Sequence, residues 1–261
     1  MSEAPRTVEG WYALHDVRRL DWPRWKALPG QERAEIAAEA SEALAGWQSV
    51  TDAAEGSSAL YRVIGHKGDL MMVHFRPTAA DLHALEMAFN ATRLADFTTP
   101  AYSYLSVTEL SQYGALSSGR SGGKPGEQPE MPQDAHSLRR LKPAIPDGGF
   151  VCFYPMSKKR EGEDNWYSLP LAGRQELMRA HGLTGRRFAG QVRQVISASS
   201  GFDDWEWGVT LFADDSLVFK KIVSEMRFDE VSARYALFGP FYVGIHAGPD
   251  DLISFLSLSV G

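Results

Sequence analysis

Apolar and polar positions change period repeatedly along the chain, and the changes mark out elements. Residues 9–15 (EGWYALH) are dense in aromatic and β-favouring types and predict a strand. Residues 31–47 place Ile36, Ala40, Leu44 and Trp47 at helical spacing in an Ala- and Glu-rich stretch, which predicts a helix. Two strand-like runs, 59–64 and 70–75, flank the turn-forming His66-Lys67-Gly68-Asp69. A second helix is expected over 79–94, with Leu82, Leu85 and Phe89 on one face, and Pro100 is expected to close that segment. Residues 102–110 alternate as a half-buried strand does. The order is β-α-β-β-α-β, a ferredoxin-like unit.

The same order is written again further on. A strand is expected over 149–156, then a helix over 171–181 stopped by Gly182 at C′. Strands over 195–199 and 207–212, a helix over 215–226 and a strand over 235–245 follow, with a terminal helix over 250–258. The chain thus reads as an α+β protein with halves 1–113 and 148–261 joined by a linker, 114–147. Two four-stranded sheets can close edge to edge, pack face to face, or stand as separate domains on a tether. Within the linker, residues 117–126 are Ser/Gly-rich and expected to be mobile, and Arg139, Arg140 and Lys142 crowd its later part.

Composition narrows the function classes. At 261 residues, 44% of them hydrophobic, the chain has ample material for a core of one large domain or two small ones. No run approaches the ~20 apolar residues of a membrane span, and residues 1–9 lack the apolar region of a secretory signal. One cysteine, Cys152, excludes an internal disulfide and a cysteine-built metal site. A cytoplasmic protein is the expectation. The net charge of −6 argues against a nucleic-acid coat, though not against a local basic pocket for a small anion. The 7 Trp, 9 Tyr and 13 Phe suit either packed sheets or a pocket for a large flat ligand.

Candidate chemistry is scattered. No phosphate loop, HExxH or GxSxG motif occurs. Of seven histidines, His181 stands out by position, on the last turn of the expected helix. It reads either as a helix-end residue facing the negative end of the dipole or as a single axial ligand to a heme iron. Alternation puts Cys152, Tyr154, Met156 and Lys158 on one strand face. Tyr154, with an ordinary phenol pKa of about 10, is a poor base but an oxidisable group. Lys158 could hold a carboxylate, or simply end the strand in a solvated basic turn. Gln194 enters the strand at 195, Trp205 and Trp207 read as core, and Arg227 and Ser232 surround a loop before the last strand.

Several long stretches carry a resemblance: YPMSKKR (154–160), WY and LP (166–170), HG (181–182), 190–199, FDDWEWGVTLF (202–212) and MRFDEVSARYA (226–236). The chain resembles the coproheme decarboxylases (HemQ), the heme-synthesis branch of the chlorite-dismutase-like superfamily. The likeness covers the second half closely and the first half more loosely. It implies a dimeric α+β barrel of two ferredoxin-like halves, assembled as a homopentamer, with heme in the second half. On the matching positions it implies His181 as proximal iron ligand, Tyr154 as the catalytic tyrosine and Lys158 beside a reacting propionate. It further implies Met156 at the porphyrin edge, Arg140, Arg227 and Ser232 on propionates, and Gln194 above the iron. The chlorite-degrading branch carries arginine at that last position; the adjacent Arg193 would face the opposite way on a strand.

The implied reaction converts iron-coproporphyrin III (coproheme) to heme b. Hydrogen peroxide is the oxidant, a tyrosyl radical forms at Tyr154, and propionates 2 and 4 become vinyls. The substrate acts as its own redox cofactor, and a transient contact with ferrochelatase would suit such a pathway. Arg and Lys gathered for four carboxylates would explain a basic pocket in an acidic protein. The competing readings are a chlorite dismutase or heme peroxidase, and a non-catalytic heme-binding or delivery protein.

Overall fold

A computed structural model describes residues 4–111 and 131–258. Along the chain run β1 (Thr7–Leu20), α1 (Trp22–Ala27), α2 (Gly30–Gln48), β2 (Ser57–Ile64), β3 (Leu70–Arg76), α3 (Ala79–Asn90) and β4 (Thr98–Ser111). After residues 112–130 come α4 (Ala135–Leu141), β5 (Phe150–Lys158), α5 (Leu171–Arg186), β6 (Arg193–Ala198) and β7 (Trp207–Ala213). The chain ends with α6 (Leu217–Met226), α7 (Glu230–Tyr235), β8 (Ala236–Phe238), β9 (Tyr242–Ala247) and α8 (Pro249–Leu256). The fold is α+β, built on antiparallel pairing. The Ser/Gly-rich segment 117–126 lies outside the described residues. No helix among them is long and apolar enough to cross a membrane.

The chain divides into two compact units that are not contiguous in sequence. One comprises Trp11–Leu105, Lys142–Val151 and Tyr242–Gly261. Its sheet runs β1-β3-β2-β9, with Leu14 and Ser58 both opposite His74 and with Tyr61 opposite His246. Ile36, Ala40, Leu44 and Trp47 of α2 pack with Leu82, Leu85 and Phe89 of α3 and with Leu252 and Leu256 of α8. The helix starts are encoded locally. The Thr78 hydroxyl accepts the Asp81 N–H at 3.1 Å and the Asp81 carboxylate accepts the Thr78 N–H at 3.0 Å, a reciprocal cap for α3. Arg76, fully buried, is held by a fork from Asp52 at 2.7 and 2.8 Å.

The other unit comprises Met1–Gly10, Ser106–Leu141 and Cys152–Phe241. Its sheet runs β4-β6-β7-β5-β8, with Gln194 opposite Leu211 and Met156 opposite Phe238. In β6 Val195 and Ser197 are buried while Gln194 and Ile196 are exposed, a regular alternation.

Three expectations change. Pro100 does not close the segment; it lies near the start of β4, where a missing N–H is tolerated. Gly182 does not stop its helix. α5 continues to Arg186 and tightens through Arg187 and Phe188, and the glycine in the left-handed region is Gly190 (φ 83°). His181 therefore sits inside the helix, not on its last turn. The strand expected over 235–245 is two strands, β8 and β9. Pro240 has no N–H to donate between them, and at Gly239 a Cβ would meet the Pro155 ring at 2.7 Å.

Candidate functional site

All eight residues singled out from the sequence fall in the second unit: Arg140 on α4, Tyr154, Met156 and Lys158 on β5, His181 on α5, Gln194 on β6, Arg227 after α6, and Ser232 on α7. β5 extends to Lys158, two residues beyond its expected end, which carries the Cys152–Lys158 alternation through the whole set.

Tyr154 is buried, with its ring stacked on Phe241 at 4.4 Å between centres. Burial chiefly, then Cys152, pushes its phenol well above the ordinary value, with Arg227 opposing. The neighbouring Phe238 ring, 5.9 Å from Tyr154, carries the Arg227 guanidinium over its face at 4.7 Å. Phe238 is also the cross-strand partner of Met156, so the ring that meets Tyr154 and Arg227 stands opposite Met156 in the sheet.

Lys158 is only 9% exposed, and its Nζ stands 4.9 Å from the centre of the Trp166 ring. Burial lowers its amine from 10.5 to about 8, with Asp229 and Glu206 pulling the other way. At neutral pH it remains mostly an ammonium, able to meet an anion.

His181 is oriented by a residue that the sequence reading missed. Its Nδ1 lies 3.0 Å from Asp229 Oδ1. With Nδ1–H donated to the carboxylate, Nε2 keeps its lone pair, the arrangement a carboxylate imposes when it bonds the far nitrogen of a ligating histidine. Asp229 has a second task as N-cap of α7, accepting the Val231 and Ser232 N–H groups at 3.0 and 3.2 Å. Burial pushes its carboxyl up, but the bonds from His181 and Ser232 more than offset this, leaving it below the ordinary value. Ser232 is buried at this cap and His181 is half-buried. Asp229 ahead of a short helical run was a visible N-cap signal; its pairing with His181, 48 residues away, was not.

Tyr154 and Arg227 meet at Phe238, opposite Met156, while His181 and Ser232 meet at Asp229, whose charge also favours the Lys158 ammonium. Gln194 lies on the exposed face of β6 and Arg140 on the exposed side of α4; among the described residues no contact joins either to those groups.

The chain's class, on fold and geometry, is an α+β protein that carries a carboxylate-oriented imidazole, a buried phenol and a buried lysine in one unit. Comparison with known proteins makes it specific. The family model described as chlorite dismutase matches residues 33–247, and the chain belongs to that family. It is similar over 98% of both chains, at 44% identity and a TM-score of 0.89, to a heme-binding protein from Thermus thermophilus. It shares its fold with a mutant chlorite dismutase from Candidatus Nitrospira defluvii (19% identity, TM-score 0.75, 95% of this chain and 96% of that one).

Proposed function

We propose that this protein binds an iron porphyrin through His181 and carries out the peroxide-dependent decarboxylation of iron-coproporphyrin III to heme b. The observation that carries the reading is the His181–Asp229 pair in the same unit as Tyr154 and Lys158. The donor set fits the group. One imidazole with a free Nε2 suffices for an iron whose other ligands come from a porphyrin. Among the described residues, no group of three His, Cys, Asp or Glu could hold a bare metal ion. The Thermus relative, a heme-binding protein, supports the same ligand.

Bound iron porphyrin supplies the redox chemistry with peroxide. The chain's own residues do the rest. His181 holds the iron, and Asp229 fixes its tautomer. Tyr154 stays protonated at neutral pH, so it gives up an electron and its proton together and becomes a neutral radical. It then regains a hydrogen atom from the β-carbon of a propionate. Loss of a further electron and of carbon dioxide leaves the vinyl, so each propionate consumes one peroxide, reduced to two waters. Lys158 pairs with the reacting carboxylate. Arg140, Arg227 and Ser232 would hold the remaining carboxylates, Met156 would border the ring, and Gln194 would offer its amide near the iron. Gln194 in place of an arginine favours this chemistry over chlorite degradation.

The second reading is heme binding without turnover, and the Thermus relative, a heme-binding protein, is compatible with it. It needs His181 but not Tyr154. The protein is loaded with iron-coproporphyrin III, peroxide is titrated, and the tetrapyrrole is followed by mass spectrometry. Stepwise loss of two carboxyl groups is expected; an intact or merely bleached tetrapyrrole leaves the binding reading standing instead.

A further inference from the structure

We infer that Glu206 is a positioning residue for this reaction: its carboxylate fixes the end of β5 and the aromatic wall beside it, and so sets where the Lys158 ammonium stands. The inference rests on the proposed reading of Lys158 as holder of a substrate carboxylate.

Glu206 precedes β7 and is 5% exposed. A carboxylate is tolerated at that depth only where several donors satisfy it. Oε2 accepts the Lys158 main-chain N–H at 2.8 Å. Oε1 accepts from the Tyr167 hydroxyl and from the Arg160 guanidinium. The Glu206 N–H donates to the Met156 carbonyl at 3.1 Å, and its carbonyl accepts the Ser199 N–H at 2.9 Å. One residue thus ties together the end of β5, the Trp166-Tyr167 turn and the approach to β7.

The consequence for Lys158 is geometric. The lysine backbone hangs on one oxygen of the carboxylate. Trp166, the ring beside its ammonium, adjoins Tyr167, which hangs on the other. Removing the carboxylate frees both sides of that contact. The charged groups facing Lys158 are Glu206 and Asp229, and both favour the ammonium against the effect of burial. Arg160 is two-thirds exposed, so its ion pair with Glu206 adds little. The buried Lys158 and Tyr167 bonds carry the positioning.

The test compares Glu206→Gln and Glu206→Ala in the full chain. Glutamine keeps an oxygen acceptor but loses the charge; alanine loses both. In ligand-free protein, the pH dependence of Lys158 acylation by acetic anhydride is read by peptide mass spectrometry. In the loaded protein, kcat and KM for iron-coproporphyrin III are measured with peroxide across pH. The labelling midpoint is expected to fall by about one pH unit in Glu206→Gln, a roughly fivefold faster reaction at pH 7. Its kcat is expected to recover only in part on acidification, because glutamine keeps one of the two acceptor oxygens, whereas Glu206→Ala stays at least about tenfold down at every pH. Labelling midpoints equal to wild type in both variants overturn the inference, as does full rescue of Glu206→Ala by acid. If the wild type binds coproheme without decarboxylating it, the proposed function fails, while the labelling experiment still decides the role of Glu206. If Glu206→Ala does not fold, the near-isosteric glutamine variant decides.

Discussion

Replacing Lys158 by methionine should make the protein more stable and, on the proposed function, inactive. The amine sits at 9% exposure, and its pKa is lowered from 10.5 to about 8, mainly by burial. Between those two values the unfolded chain binds more protons than the folded one, so stability rises with pH across that window. Below about pH 8 the protonated amine imposes its whole cost on folding. The gap from 10.5 to about 8 corresponds to roughly 3 kcal/mol. Methionine is one atom shorter and puts an uncharged, apolar end beside Trp166. The gain is held below that ceiling, because Asp229 and Glu206 lose a neighbouring cation. Urea unfolding of ligand-free wild type and Lys158→Met, near pH 6.5 and again near pH 10, measures the difference. The variant should be more stable at the lower pH, and the advantage should shrink toward zero at the higher. A variant destabilised at the lower pH, or a difference indifferent to pH, would refute the reasoning. The same variant should bind coproheme and fail to release carbon dioxide, marking a residue kept against stability.

Tyr154→Phe preserves the ring stack on Phe241, so it should fold and bind coproheme while decarboxylation drops by about a hundredfold or more. Retained turnover removes Tyr154 from its role. His181→Ala should change the Soret spectrum of the loaded protein; an unaltered spectrum points to another ligand. Asp229→Ala removes the cap of α7, at about 1 kcal/mol in urea unfolding. It should also weaken tetrapyrrole binding about 10- to 100-fold, measured by Soret titration. Wild-type affinity in this variant would mean that the carboxylate does not orient the ligand.

What local pattern controls was legible; what distant pairing controls was not. Alternation places Tyr154, Met156 and Lys158 on one face, and β5 carries all three. Helical spacing finds the buried residues of α2 and α3 because their apolar stripe meets a sheet. Gly182 misleads because glycine in a helix interior costs only about 1 kcal/mol, less than tertiary packing supplies. The glycine that ends the segment, Gly190, is marked by its left-handed backbone rather than by anything in the pattern. β9 reads as the continuation of the strand before it, but it pairs with β2, far earlier in the chain, through contacts such as His246 opposite Tyr61. A period-2 signal fixes which face is buried and says nothing of the neighbour.

The two site residues that sequence reading missed are both acids, and their chemistry explains why. In a protein of net charge −6 that is proposed to bind a tetra-anion, an acid near the site looks like a liability. Asp229 and Glu206 are instead directed at the chain's own donors: His181 and the α7 N–H groups for one, the Lys158 backbone and Tyr167 for the other. Each supports the charge or orientation of a group proposed to face the ligand, and neither needs to touch the ligand itself. Glu206 carried no local mark: alternation sets it opposite Trp205 and Trp207, so reading those two as core turns the acid toward solvent, whereas the acid is the most buried of the three. A buried acid between tryptophans has to be satisfied by the protein. Asking which donors satisfy it leads from the strand end back to Lys158, and so from fold to site.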